Sequence, residues 1–101
     1  MADLTKLQEI PQDGTLSRTL YNDEHIKTVL FAFDAGQELS EHAASMPAIL
    51  QIVQGEARLT LGIDSMEAGP GAWAYMPPHL QHSIYAKTPL VMLLLLIRAG
   101  K

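Results

Sequence analysis

An all-β fold, a small antiparallel barrel or sandwich, is predicted by three observations. Short apolar runs alternate with turn clusters at intervals of about ten residues, the spacing expected of strands joined by tight connections. No window carries a sustained helical period. The clearest run sets Glu56, Arg58 and Thr60 on one face and Ala57, Leu59 and Leu61 on the other, the alternation of a strand with one wet side. With 101 residues, 48% of them hydrophobic, the chain has material for one core and is expected to form one domain over 1–101.

The elements follow in order. Residues 1–15 read as an N-terminal arm closed by the turn cluster Pro11-Gln12-Asp13-Gly14. Thr15 to Asn22 is a short strand, and after a turn at Asn22-Asp23-Glu24 the run Ile26 to Ala35 is a second. Val29, Phe31 and Phe33 there oppose Leu30 and Ala32, so its second half is apolar on both faces. Gly36 breaks the strand, and Gln37 to Glu41 is expected to be a polar connection leading to His42. Ala48 to Val53 and Ala57 to Leu61 read as a hairpin about Gln54-Gly55-Glu56. Past a turn at Gly62, Ser65 to Ala68 reads as a short bridge to Gly69-Pro70-Gly71.

The stretch from Gly71 to His82 is a strand stopped by Pro77-Pro78, a turn, and the start of another strand, because proline cannot donate to a ladder. Alternation then puts His82, Ile84 and Ala86 on an apolar inner face and Ser83 and Tyr85 on the other. A histidine is thereby placed at the rim of an apolar interior. Lys87-Thr88-Pro89 separates this strand from Leu90 to Ile97, a buried strand far short of the ~20 residues a membrane helix needs. Six to eight strands in a closed or nearly closed barrel are expected.

Composition narrows the function. A net charge of -4, from 11 acidic and 7 basic side chains spread along the chain, gives no footprint for nucleic acid. The N-terminal stretch lacks an apolar core of signal-peptide length, so a cytoplasmic location and no membrane partner are expected. With no cysteine, any chemistry rests on His, Asp and Glu.

Two spaced patterns carry a family resemblance: Gly36, five residues, His42, then twelve residues to Gly55; and Gly71, five residues, Pro77, one residue, His79, two residues, His82. In this order, about fifteen residues apart, they resemble the two motifs of the cupin superfamily, in particular small single-domain cupins of the conserved-barrel type, across residues 36–86. The resemblance implies a small antiparallel double-stranded β-helix, the jelly-roll barrel. It also implies a metal site of two histidines and a carboxylate from the first motif and one histidine from the second. His42 and His82 fall on ligand positions, whereas the second histidine position is Ala44 and the carboxylate position is Ala48. The motif's usual turn glycine is His79, a residue type that tolerates a left-handed backbone, and its closing asparagine is Ala86.

Two imidazoles alone make a weak, labile site, since zinc and non-haem iron sites use three or more protein ligands. The alanines meanwhile leave room beside the histidines. The expected pocket comprises His42, Ala44, Ala48, Leu50, His82 and Ile84, with His42 and His82 able to hold an exchangeable divalent ion (Zn, Ni, Mn or Fe). Without metal, the same histidines are hydrogen-bonded pocket residues. Glu41 on a regular strand points away from His42, an expectation that a local bulge would undo. His79 is expected to face solvent, as is His25. Trp73, Tyr75, Tyr85 and the methionines Met46, Met66, Met76 and Met92 read first as barrel packing and second as pocket lining.

The first function expected is a small-molecule-binding cupin with an optional metal. The alternatives are a metal-dependent dioxygenase, isomerase or lyase, and a metal-free structural or sensory barrel. A homodimer is also expected, because the outward faces of Ala48 to Val53 and Leu90 to Ile97 are too apolar for water.

Overall fold

The computed structural model of the chain describes residues 9–42 and 45–98, without the side chains of 40–42. These residues form nine strands and no helix: β1 (Thr15–Asn22), β2 (Ile26–Phe33), β3 (Glu38–His42), β4 (Ala48–Gln54), β5 (Ala57–Leu61), β6 (Asp64–Ala68), β7 (Trp73–Met76), β8 (His82–Ala86) and β9 (Leu90–Ile97). All pairings are antiparallel. One sheet has the order β1-β2-β9-β4-β7 and the other β3-β8-β5-β6, so the chain repeatedly crosses from one sheet to the other in a jelly roll.

Alternation within each strand builds the core between the sheets. The larger sheet contributes Phe31 and Phe33, Leu90, Met92 and Leu94, Ala48, Leu50 and Ile52, and Met76; the smaller contributes Ala57, Leu59, Ile84 and Ala86. Each fully buried Phe, Leu, Ile or Met here stabilises the fold by about 1.5–3 kcal/mol.

Three expectations are corrected. Nine strands replace six to eight, because the polar connection at 37–41 and the bridge at 65–68 both lie largely in strands, β3 and β6, the two edges of the smaller sheet. The segments flanking Gly55 are not a hairpin: β4 pairs with β7 and β9 while β5 pairs with β6 and β8. The reason is the packing of Gly55. Its φ is +90°, and a Cβ there would lie 2.1 Å from the Pro89 carbonyl oxygen. Only glycine allows that approach, and it sets the β4-to-β5 crossing directly against the β8-to-β9 crossing. The Glu56 carbonyl accepts from the Lys87 N–H at 2.9 Å, and the Glu56 N–H donates to Thr88 Oγ1 at 2.9 Å. Third, Trp73, Tyr75, Tyr85 and Met66 are not core: Trp73 is 61% exposed, Tyr75 and Tyr85 are also exposed on outer sheet faces, and Met66, opposite Leu59, is exposed on the edge strand β6.

At the opposite end of the sandwich the crossings run through loops. The Pro77–Gln81 connection is tied to the β5–β6 turn by Gly62 N–H donating to the Gln81 carbonyl at 2.7 Å, and Pro47 is tied to β9 by Ile97 N–H donating to its carbonyl at 2.9 Å. His79 supplies a φ of +68° in this connection. The N-terminal arm lies outside the described residues over 1–8.

Candidate functional site

His82 opens β8 and is 4% exposed, while Ile84 and Ala86 beyond it are buried on the same face. Its Nδ1 lies 3.0 Å from the Leu80 carbonyl oxygen. A carbonyl only accepts, so Nδ1 carries the proton, and in the neutral ring the lone pair is on Nε2. That is the arrangement by which a backbone carbonyl orients a ligating histidine.

Beside His82 lies a cavity of about 30 Å³, lined also by Met46, Ala48, Met76, Pro77, Leu80, Leu94 and Leu96. Its walls come from both sheets: Met76 and Ala48 are register partners in the larger sheet, and Ala48 is in turn opposite Leu96. The volume admits about one or two water molecules, or a single ion.

Of the residues expected at the pocket, Ala48 and His82 line this cavity. Leu50 and Ile84 do not; they are buried one layer deeper in the core cluster, where the sheets close on each other. Ala44 and the His42 side chain lie outside the described residues, but the backbone register pairs His42 with His82. That pairing depends on a bulge: between Leu39, opposite Ile84, and His42, opposite His82, β3 has one residue more than β8. The bulge removes the regular-strand basis for setting Glu41 against His42. His79 is exposed. Met46 and Met76, whose second reading in the sequence was pocket lining, also line the cavity, whereas Pro77, Leu80, Leu94 and Leu96 were not in the expected pocket set.

The chain aligns over 100% of its length with 89% of a conserved protein of unknown function from Streptococcus pyogenes, at 31% identity and a TM-score of 0.91. A cupin superfamily protein from Desulfitobacterium hafniense matches at 27% identity and a TM-score of 0.89, covering 94% of this chain and 87% of that one. This chain belongs to the cupin superfamily. An RmlC-like cupin from Shewanella frigidimarina shares the cupin fold at 21% identity and a TM-score of 0.82, covering 95% of this chain and 88% of that one. No protein-family model and no curated protein sequence matches the chain.

The cupin barrel's mouth thus carries one described imidazole among aliphatic and thioether groups. Among the described residues no three His, Cys, Asp or Glu side chains come together. Ala48, at the position where the family resemblance expects a carboxylate, contributes a methyl to the cavity wall. The described lining therefore fits a hard divalent ion poorly, since such ions favour imidazole, carboxylate, carbonyl and water donors. Among the described residues no helix is long and apolar enough to cross a membrane.

Proposed function

We propose that this cupin binds a small, largely apolar organic molecule at the mouth of its barrel, with His82 as the orienting polar group. The observation that carries the reading is a buried imidazole, oriented through the Leu80 carbonyl, in an otherwise apolar cavity. Sites of this kind combine apolar walls with a few placed polar groups. At about 30 Å³ the cavity takes only the leading edge of such a molecule, and the remainder is expected to lie outward, toward Pro77 and Leu80. A panel of small aromatic and aliphatic alcohols, amides and acids, screened by thermal shift, tests this. Hits should lose their shift in His82→Ala and in the cavity-filling Ala48→Leu, and keep it in His79→Ala. Shifts indifferent to His82 and Ala48 would put the ligand elsewhere.

A second reading, an exchangeable divalent ion shared by His42 and His82, is favoured by their pairing in register. It would supply Lewis acidity or oxygen activation to a bound substrate, the basis of a dioxygenase, isomerase or lyase. Because imidazole ligates only when neutral, such binding weakens as pH falls below about 6.5. Elemental analysis of untagged protein at two pH values separates the two readings.

The proposal includes a homodimer in the cytoplasm. On the outer face of the larger sheet, register aligns Tyr75, Ile49 and Leu95 in one row and Trp73, Gln51 and Leu93 in the next, a largely apolar surface spanning three strands. A second copy laid on this face would cover Trp73 and Tyr75. Light scattering at micromolar concentration should give twice the chain mass; a monomer contradicts it.

A further inference from the structure

We propose that residues 1–8 dock in cis on the outer face of the larger sheet, where Leu4 and Leu7 cover a strip formed by Leu30, Ala32 and Val91. The strip is marked by a change of burial along one register row. Trp73, Gln51, Leu93, Leu30 and Arg18 stand side by side across β7, β4, β9, β2 and β1. Trp73 is 61% exposed on one edge strand and Arg18 is exposed on the other, but Leu30 between them is 0% exposed. In the next row toward Gly55, Val91 and Ala32 are buried as well, beside an exposed Leu16. None of the three belongs to the cluster packed between the sheets. The smaller sheet covers the opposite face, so what withdraws this strip from water comes from outside the two sheets.

Position selects the segment. Residues 1–8, 43–44 and 99–101 lie outside the described residues. Residues 43–44 lead from β3, in the smaller sheet, to Met46 at the cavity end. Residues 99–101 leave β9 at that same end and span at most about 10 Å, whereas Leu93, opposite Leu30, lies roughly 17 Å back along the strand from Arg98. The N-terminal segment is anchored beside the strip. Asp13 N–H donates to Asp34 Oδ2 at 2.6 Å, and Asp34 N–H donates to the Gly14 carbonyl at 3.0 Å, directly after β2. Ile10 and Pro11 are already half-buried there. From Ala32 to Leu30 is about 7 Å along the strand, and from β2 to β9 is one strand spacing of about 4.8 Å. Eight residues span about 12 Å even when helical, so the reach suffices. Leu4, Leu7 and Ile10 recur at every third position among Asp3, Thr5, Lys6, Gln8 and Glu9. That spacing gathers the apolar groups on one side of a helical or a threefold extended backbone. The segment then takes the β2 part of the face and leaves the β4 and β7 part, with Trp73 and Tyr75, to the second copy proposed above.

The rival explanation is that Leu16 and Arg18 of β1 fold over the strip by themselves, in which case the N-terminal segment is dispensable there. Methyl-labelled, unaltered protein distinguishes the two through nuclear Overhauser contacts. The Leu4 and Leu7 methyls should contact those of Leu30, Ala32 and Val91, and a filtered experiment on mixed labelled and unlabelled chains should show none of these contacts between chains. In the double variant Leu4→Ser, Leu7→Ser, a soluble gadolinium chelate should relax the Leu30 and Val91 methyls several-fold faster than in the unaltered chain. The methyls of Leu50 and Ile84, 1% and 2% exposed in the core, should keep their rates and so report an intact fold. Contacts found only between chains overturn the proposal, as do absent contacts with equal relaxation in both proteins. Light scattering bears on the second copy separately. A monomer that keeps the intrachain contacts removes the dimer and leaves the docked segment standing, and a dimer without those contacts removes the docked segment alone.

Discussion

The two ends of the sandwich solve the same problem, carrying the chain from sheet to sheet, with different materials. At the Gly55 end the crossings are joined by backbone: Gly55 lies against the Pro89 carbonyl, Glu56 bonds to Lys87 and Thr88, and Gly36 N–H donates to the Ala86 carbonyl at 2.8 Å. Little side-chain choice remains there. At the His82 end the crossings are longer loops, and between them side chains enclose a cavity that holds a buried imidazole. Backbone packing leaves no room for a ligand, whereas side-chain packing leaves a space whose chemistry the sequence can set. The first end is closed by backbone contacts, and the second holds the cavity to which the proposed binding is assigned.

Substitutions at each end sharpen that contrast. Gly55→Ala combines a positive φ with a steric overlap on backbone atoms that have no way to step aside, and should cost roughly 3–5 kcal/mol in chemical denaturation. A loss below about 1 kcal/mol would show that this corner is more yielding than its geometry implies. At the other end, His82→Ala should lower stability by only about 1–2 kcal/mol, the scale of one buried hydrogen bond and a modest void, while abolishing His82-dependent ligand shifts. His79→Gly should act in the opposite direction, raising stability by about 0.5–1 kcal/mol, because glycine occupies the φ of +68° without a Cβ penalty.

The smallest effect expected is at the β1–β2 turn, remote from both crossings. There Asp23 accepts from the backbone N–H of His25 at 2.8 Å and of Ile26 at 2.9 Å, and from the Tyr21 hydroxyl at 2.8 Å. The His25 N–H bond, followed by the other two, holds its carboxyl below the usual carboxylate range. A carboxyl lowered in the folded state contributes stability above its unfolded pKa and loses it as pH falls through the folded value. Asp23→Asn should therefore flatten the acid limb of a stability–pH curve slightly and leave neutral-pH ligand binding unchanged. Glu67 follows the same sign, lowered first by Lys87 and then by Arg58.

How much of this was legible beforehand depends on which residues carried a periodic signal. β5, β8 and β9 follow the runs seen in the sequence because at least one face of each shows apolar alternation or a continuous apolar run. β3 and β6 gave no such signal. Glu38-Leu-Ser-Glu-His and Asp64-Ser-Met-Glu-Ala are edge strands, and β6 is exposed over all but its last residue, so their pairing rather than their burial makes them strands. The false hairpin has a similar origin. Gln54-Gly55-Glu56 is a good local turn, but what lies beside it is decided by Pro89, more than thirty residues on.

At the site, alternation put His82 on an inner face, and the family resemblance singled out Ala48. Leu80, Met46 and Met76 reach the cavity from loops and from a strand end whose positions depend on long-range contacts, and Leu50 and Ile84, on correct faces, lie too deep to touch it. A period of two reports which face a residue occupies and nothing about its depth along the barrel.

The central claim is that the Leu80 carbonyl holds His82 with its proton on Nδ1 and its lone pair on Nε2. Long-range nitrogen-15 correlation of the imidazole, recorded roughly two units above the free histidine value of about 6.5, reads this directly. The account predicts that His82 is in the Nδ1–H form and that its ring signals move on ligand addition. A His82 ring in the Nε2–H form, unmoved by ligand, would contradict it.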